Sequence, residues 1–126
     1  IGSVVGYDDV TLLSEMKKKM EEICGEKKLE CEGNLYYDAK KCGIGFHGDG
    51  ERKKVVGISL CSEDIVREIN WIWYKKSERV SERFRLQLNC GDCYVMSEKS
   101  SGFDWKKRSL LTLRHAAGVE GSKYLK

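Results

Sequence analysis

The sequence predicts a mainly β (α+β) fold, a sandwich or barrel closed on one N-terminal amphipathic helix. Two patterns carry that prediction. Apolar side chains recur at helical spacing over residues 9–24. From residue 29 onward the pattern changes to about seven short segments of strand character, divided at even spacing by glycine or polar clusters. A chain of 126 residues fits one domain, 1–126, with a core large enough to need no staples.

The helix opens at Asp8-Asp9, residue types that suit an N-cap. Val10, Leu12, Leu13, Met16, Met20 and Ile23 then form an apolar stripe, with Lys17, Lys18, Lys19, Glu21 and Glu22 between them. Gly25 supplies a stop. The Met and Leu stripe is expected to pack into a core.

The expected strands are 29–37, 43–49, 54–61, 65–75, 83–89, 93–97 and 110–117. Within 83–89 the alternation directs Phe84, Leu86 and Leu88 inward. In the strand before it Ile69, Trp71 and Trp73 alternate with Asn70, Ile72 and Tyr74. The separating clusters are 48–50, 62–64, 77–81, 90–92 and 100–102, and with no proline in the chain they rely on glycine and polar residues.

A charged fraction of 34% beside a hydrophobic fraction of 40% reads as soluble and globular, and an intracellular, monomeric protein is expected. No apolar run approaches a membrane span, so no membrane partner is expected. The opening Ile1-Gly2-Ser3 resembles neither a signal peptide nor an initiator, and flanking segments are expected. Six cysteines, several in apolar segments, read as buried reduced thiols. Cys90-Gly91-Asp92-Cys93 has zinc-like spacing but no second pair, and reads as a tight turn. Charge is uneven: residues 1–64 hold 10 Lys and Arg against 13 Asp and Glu, net −3, whereas 65–126 hold 13 against 7, net +6. The basic half suits a polyanion or an anionic cosubstrate, and equally a solvated surface.

The chemistry concentrates in Gly43-Ile44-Gly45-Phe46-His47-Gly48-Asp49-Gly50-Glu51-Arg52. At a strand end His47 and Asp49 point to one side, because side chains alternate with period two. An imidazole and a carboxylate side by side are two thirds of a 2-His-1-carboxylate iron(II) site. The chain's other histidine is His115, so the candidate triad is His47, Asp49 and His115.

These blocks resemble a known family. Asn34-Leu35-Tyr36-Tyr37 followed by His47-Gly48-Asp49-Gly50-Glu51 is similar to the Asn-x-Tyr and His-x-Asp-x-Glu pattern of AlkB-like iron(II)/2-oxoglutarate dioxygenases. Leu88-Asn89-Cys90-Gly91-Asp92-Cys93-Tyr94-Val95-Met96 resembles a later strand of that family. Arg108 and Arg114 have the spacing of its arginine pair. The resemblance covers roughly residues 29–118. It implies a double-stranded β-helix (jelly roll) with the helix packed on it, iron(II), 2-oxoglutarate and O₂. His47, Asp49 and His115 would ligate the metal. Asn34 and Tyr36 would face 2-oxoglutarate, with Tyr37 the alternate register. Arg108 and Arg114 would clamp its carboxylates, since guanidinium pairs bidentately with carboxylate.

The chain departs from the family at one point. Lys107 falls where the distal histidine is expected. Either His115 serves, with Lys123 as a further cation toward 2-oxoglutarate, or the triad is broken and the domain is degenerate. Arg114 and His115 are neighbours, so on a regular strand they face opposite sides and only a bulge would aim both inward. The implied activity is hydroxylation or oxidative demethylation, with a base in single-stranded or damaged nucleic acid the favoured substrate. Trp71, Trp73, Tyr74 and Trp105 could stack on bases or pack structurally. The rival readings are a jelly-roll binding module for nucleic acid or another anion, and a plain β-sandwich.

Overall fold

A computed structural model describes residues 2–61 and 65–126. The turn expected at 62–64 lies outside the described residues, as does Ile1. The chain divides into two compact units, 1–34 and 35–126.

In the first unit a 3-10 turn, Tyr7–Asp9, precedes helix α1, Thr11–Cys24. The expected start at residue 9 moves because Asp9 and Val10 donate their amides to Gly6 and Tyr7, tightening that turn. Val10 is the N-cap and makes no side-chain cap, so Asp8 and Asp9 do not cap the helix. Gly25 ends it in the left-handed region at φ 69, as expected. None of the side chains of α1 is buried. The Met and Leu stripe therefore corrects to a partly exposed face rather than core. Local order comes from Lys17, whose ammonium lies 4.2 Å from the Tyr7 ring centre, and from Glu21, which accepts the Leu29 amide at 2.9 Å.

The second unit is an antiparallel β structure. Its strands are β1 Ile44–His47, β2 Val55–Ile58, β3 Arg67–Lys75, β4 Glu78–Arg79, β5 Phe84–Leu88, β6 Cys93–Met96 and β7 Thr112–Val119. The larger sheet runs β1-β7-β3-β4, with β5 also paired to β3. β2 and β6 form a separate pair. Six of the seven expected strands are present, and 29–37 is not a strand. Leu35 and Tyr37 stay exposed, and Asp38 closes the segment by accepting the amides of Lys40 and Lys41 into a turn.

The core lies between the two sheets. Ile69, Trp71, Leu88 and Met96 are its buried centre, with Val55, Leu86, Tyr94, Leu113 and Ala117 packed around them. Leu86 and Leu88 point inward as expected, whereas Phe84 is mostly exposed and lays its ring against Trp71 at 5.8 Å. Two elements were not anticipated. β4 is a two-residue extension of the β3 hairpin, turned by Lys76 and Ser77 at positive φ. Helix α2, Glu98–Ser101, is capped by the Ser97 side chain, which accepts from the Ser100 amide.

No two of the six cysteines are joined in a disulfide; none is buried, so the expected packing of the thiols in the core is not found. The Cys90-to-Cys93 segment is a turn, with the Cys90 thiol 2.9 Å from the Cys61 carbonyl. Among the described residues no helix is long and apolar enough to cross a membrane.

Candidate metal centre

β7 sits between β1 and β3 and brings the two histidines face to face. His115 is the register partner of His47 on one side and of Trp71 on the other. The β1–β7 register shifts between the pairs Ile44↔Ala117 and His47↔His115. Three residues on β1 then span two on β7, a bulge that re-aims the end of β1. The imidazole centroids are 4.3 Å apart with planes at 53°.

Asp49 completes the cluster. Its Oδ1 lies 3.5 Å from His47 Nε2, and its Oδ2 lies 3.8 Å from His115 Nε2. One ligand atom from each residue falls within 4.8 Å of the others. Side-chain exposure drops from 31% at His47 to 12% at Asp49 and 8% at His115, so the centre is a recess with one more open side.

Several contacts fix these groups. His47 Nδ1 is 2.8 Å from the Gly45 carbonyl, which can only accept, so Nδ1 carries the proton and Nε2 presents its lone pair. The Asp49 amide donates to Ser101 at 2.8 Å, and Arg52 Nη1 stands 3.8 Å from Asp49 Oδ2. Ser101 is fully buried, and its hydroxyl donates to the Arg52 and Glu98 carbonyls. Between the ligands, Gly48 lies against Gly102 and Trp105 with no room for a Cβ. Trp71 donates its indole N–H to Ser100 at 2.9 Å, tying α2 to the same wall.

Burial, and then the neighbouring His47, push the His115 imidazole down from 6.5 to about 4, with Asp49 opposing and Arg52 adding slightly. His115 is therefore neutral near pH 7, the form that ligates metal. Its Nδ1 is buried with no hydrogen-bond partner. Two imidazole nitrogens and a carboxylate converging from a half-enclosed wall fit a divalent transition metal.

The other expected site residues separate. Lys107 is exposed in a turn, so His115 rather than Lys107 joins the pair. Arg108 is exposed on the same turn. Arg114 pairs with Ile72, on the sheet face opposite His115, and its guanidinium covers the Tyr74 ring at 4.2 Å. The bulge lies on β1, not β7, so Arg114 and His115 keep opposite faces. Lys123 sits in a 3-10 turn over Tyr124. Asn34 belongs to the first unit, where it is exposed and donates to Glu32 at 3.4 Å. Tyr36 belongs to the second and lies under Arg67. Tyr37 is exposed.

Two groups near the centre escaped the sequence reading. Tyr94 is largely buried, and its hydroxyl is raised above the ordinary 10 by that burial and then by the charges of Tyr36, Asp49 and Cys93. Opposite it, Gly57 leaves space for the phenol, since a Cβ there would stand 2.3 Å from Tyr94 Cζ. A lone glycine inside the apolar run Val55–Ile58 was the available signal.

Fold and site together define a small antiparallel β unit carrying a two-histidine, one-carboxylate cluster. The chain is similar to the uncharacterized protein R156 of Acanthamoeba polyphaga mimivirus, at 49% identity over 119 residues. That match takes in 94% of this chain and 46% of the relative, so the chain spans about half the relative's length. No family model matches the sequence, and no solved structure matches the fold.

Proposed function

We propose that this chain carries the core of an iron(II)- and 2-oxoglutarate-dependent dioxygenase, with His47, Asp49 and His115 as its metal ligands. The observation that carries the reading is the convergence of these three side chains within 4.8 Å. This donor set is the one used by non-haem iron(II) oxygenases.

Strand order supports a jelly roll. In an eight-stranded jelly roll the second strand lies beside the seventh, the seventh beside the fourth and the fourth beside the fifth. The third and sixth pair in the facing sheet. Taking β1 as the second strand, β1-β7-β3-β5 follows the first order and β2-β6 the second. β4 is then an extension of one hairpin.

Iron(II) with bound 2-oxoglutarate would supply O₂ activation and the oxidising equivalent for a substrate C–H bond. The chain's own part is to hold and shield. The Gly45 carbonyl fixes the His47 tautomer, Ser101 and Arg52 orient Asp49, and burial keeps His115 neutral. Trp71, buried and paired with His115, closes the recess from the core side and limits water.

A nucleic-acid base is the substrate class we favour, in an AlkB-like demethylation or hydroxylation. Trp105 touches Gly48 between two ligands and is followed by exposed Lys106, Lys107 and Arg108. The Lys76 amide donates to the Arg108 carbonyl, so exposed Lys75 and Lys76 extend this basic rim. The test is an anaerobic iron(II) titration with 2-oxoglutarate, read by the visible metal-to-ligand charge-transfer band, followed by succinate release in air. Absence of both band and succinate overturns the oxygenase reading. Iron binding without either would leave a metal-holding binding module.

A further inference from the structure

Two crossings between the sheets run side by side, and a cysteine stands on each. Leaving β2, the chain passes Cys61 on its way to β3; leaving β5, it passes Cys90 on its way to β6. The β2–β6 ladder runs from Val55↔Met96 to Ile58↔Cys93. Its hydrogen bonding continues beyond, because the Ser59 amide donates to the Asp92 carbonyl at 2.9 Å and the Gly91 amide donates to the Ser59 carbonyl at 2.6 Å. Counting on from Ile58↔Cys93 sets Cys61 opposite Cys90.

At that position the Cys90 side chain stands in for main chain. The Cys61 amide donates to the Cys90 sulfur at 3.1 Å, and the Cys90 thiol donates to the Cys61 carbonyl at 2.9 Å. One sulfur thus touches both main-chain polar groups of the other cysteine. Facing residues of an antiparallel pair have Cα atoms about 4.5–5.5 Å apart, inside the roughly 4.4–6.8 Å that a disulfide spans. Bonding draws the Cβ atoms to about 3.8 Å. That approach falls on a turn, with Gly91 at φ 87 and Cys90 exposed. Cys61 is half-buried. Cys93 faces Ile58, three residues before Cys61, so by alternation it leaves the ladder from the opposite face.

We propose that Cys61 and Cys90 form an oxidation site, a thiol pair that a peroxide converts to a disulfide stapling the small sheet to the large one. The exposed Cys90 thiolate attacks one oxygen of hydrogen peroxide, the O–O bond breaks, and a sulfenic acid and hydroxide form. The Cys61 thiolate then attacks the Cys90 sulfur, the S–O bond breaks, and a second hydroxide leaves. The two thiol protons convert both hydroxides to water. Two thiols and one peroxide thus give one disulfide and two waters, with sulfur oxidised and peroxide oxygen reduced. The loop so closed holds β3, β4 and β5, and with them Ile69, Trp71 and Leu88 of the core, while Met96 lies on the other sheet. Closing it removes freedom from the unfolded chain. None of His47, Asp49 and His115 takes part, so the inference is independent of the metal reading.

The experiment treats the full chain, kept metal-free with EDTA, with hydrogen peroxide. Peptide mass spectrometry under non-reducing conditions then maps the links, with thermal melts beside it. The expected product has lost two of its six thiols, carries a Cys61–Cys90 link and melts higher. The rise should be on the order of 10 °C, and dithiothreitol should reverse it. Cys61→Ser and Cys90→Ser should each lack both link and shift, and Cys93→Ser should keep them. A dominant Cys90–Cys93 or intermolecular link, or Cys90 carried on to sulfinic acid with no link, overturns the proposal. A Cys61–Cys90 link that leaves the melting temperature unchanged overturns the staple. The map of the unaltered chain decides the pairing even where a serine variant fails to fold.

Discussion

Gly48→Ala is expected to disable the metal centre without touching a ligand. A Cβ at Gly48 would stand 2.3 Å from the Gly102 carbonyl oxygen and 2.5 Å from Trp105 Cβ and Cγ. Gly102 cannot retreat easily, because it sits at φ +73 and so close to β7 that a Cβ built on it would stand 2.6 Å from the Leu113 carbonyl oxygen. Two backbones and an indole therefore enclose the site, and no flexible side-chain end can give way. Relief requires a displacement of about 1 Å in the His47-to-Asp49 segment, and overpacking of this kind costs about 1–3 kcal/mol. At roughly 3–6 °C per kcal/mol for a chain of this size, the melting temperature should fall by about 3 °C or more. Metal affinity should fall further, because ligand distances tolerate only about ±0.2 Å. Gly45→Ala is the control, since nothing lies within 4 Å of its Cβ position. Thermal melts with and without manganese(II) read both effects. A Gly48→Ala protein with unaltered melting temperature and metal affinity refutes the reasoning.

Three further outcomes are expected. His115→Ala should abolish metal binding by titration while Lys107→Ala leaves it intact, since His115 stands 3.8 Å from Asp49 and Lys107 is exposed on a turn. Metal-free stability should decline as pH falls from 6.5 through about 4, because the folded state holds His115 below its unfolded value and the unfolded chain takes up the proton first. The loss approaches roughly 3 kcal/mol below that window, is absent above pH 6.5, and is read by urea melts across pH; His115→Ala should flatten it. Gly57→Ala should destabilise by about 1–3 kcal/mol in urea melts, because its Cβ would overlap the Tyr94 ring at 2.3 Å.

The triad was legible because two histidines left a single combination and period-two alternation put His47 beside Asp49. The β1 bulge was not legible, since it is a property of pairing with β7 and leaves no mark on β1 alone. Residues 29–37 carry strand-forming side chains yet form no strand, because such propensity needs a partner to act on. The stripe of α1 has helical period, but period cannot say whether a face is covered, and no side chain of α1 is buried.

The adjacency of Arg114 and His115 already contained the conflict that the fold resolves. One strand cannot turn both inward without a bulge, and the β3–β7 register runs unbroken from Arg67↔Val119 to Tyr74↔Thr112. His115 takes the inner face, and Arg114 is committed to Tyr74 on the outer one.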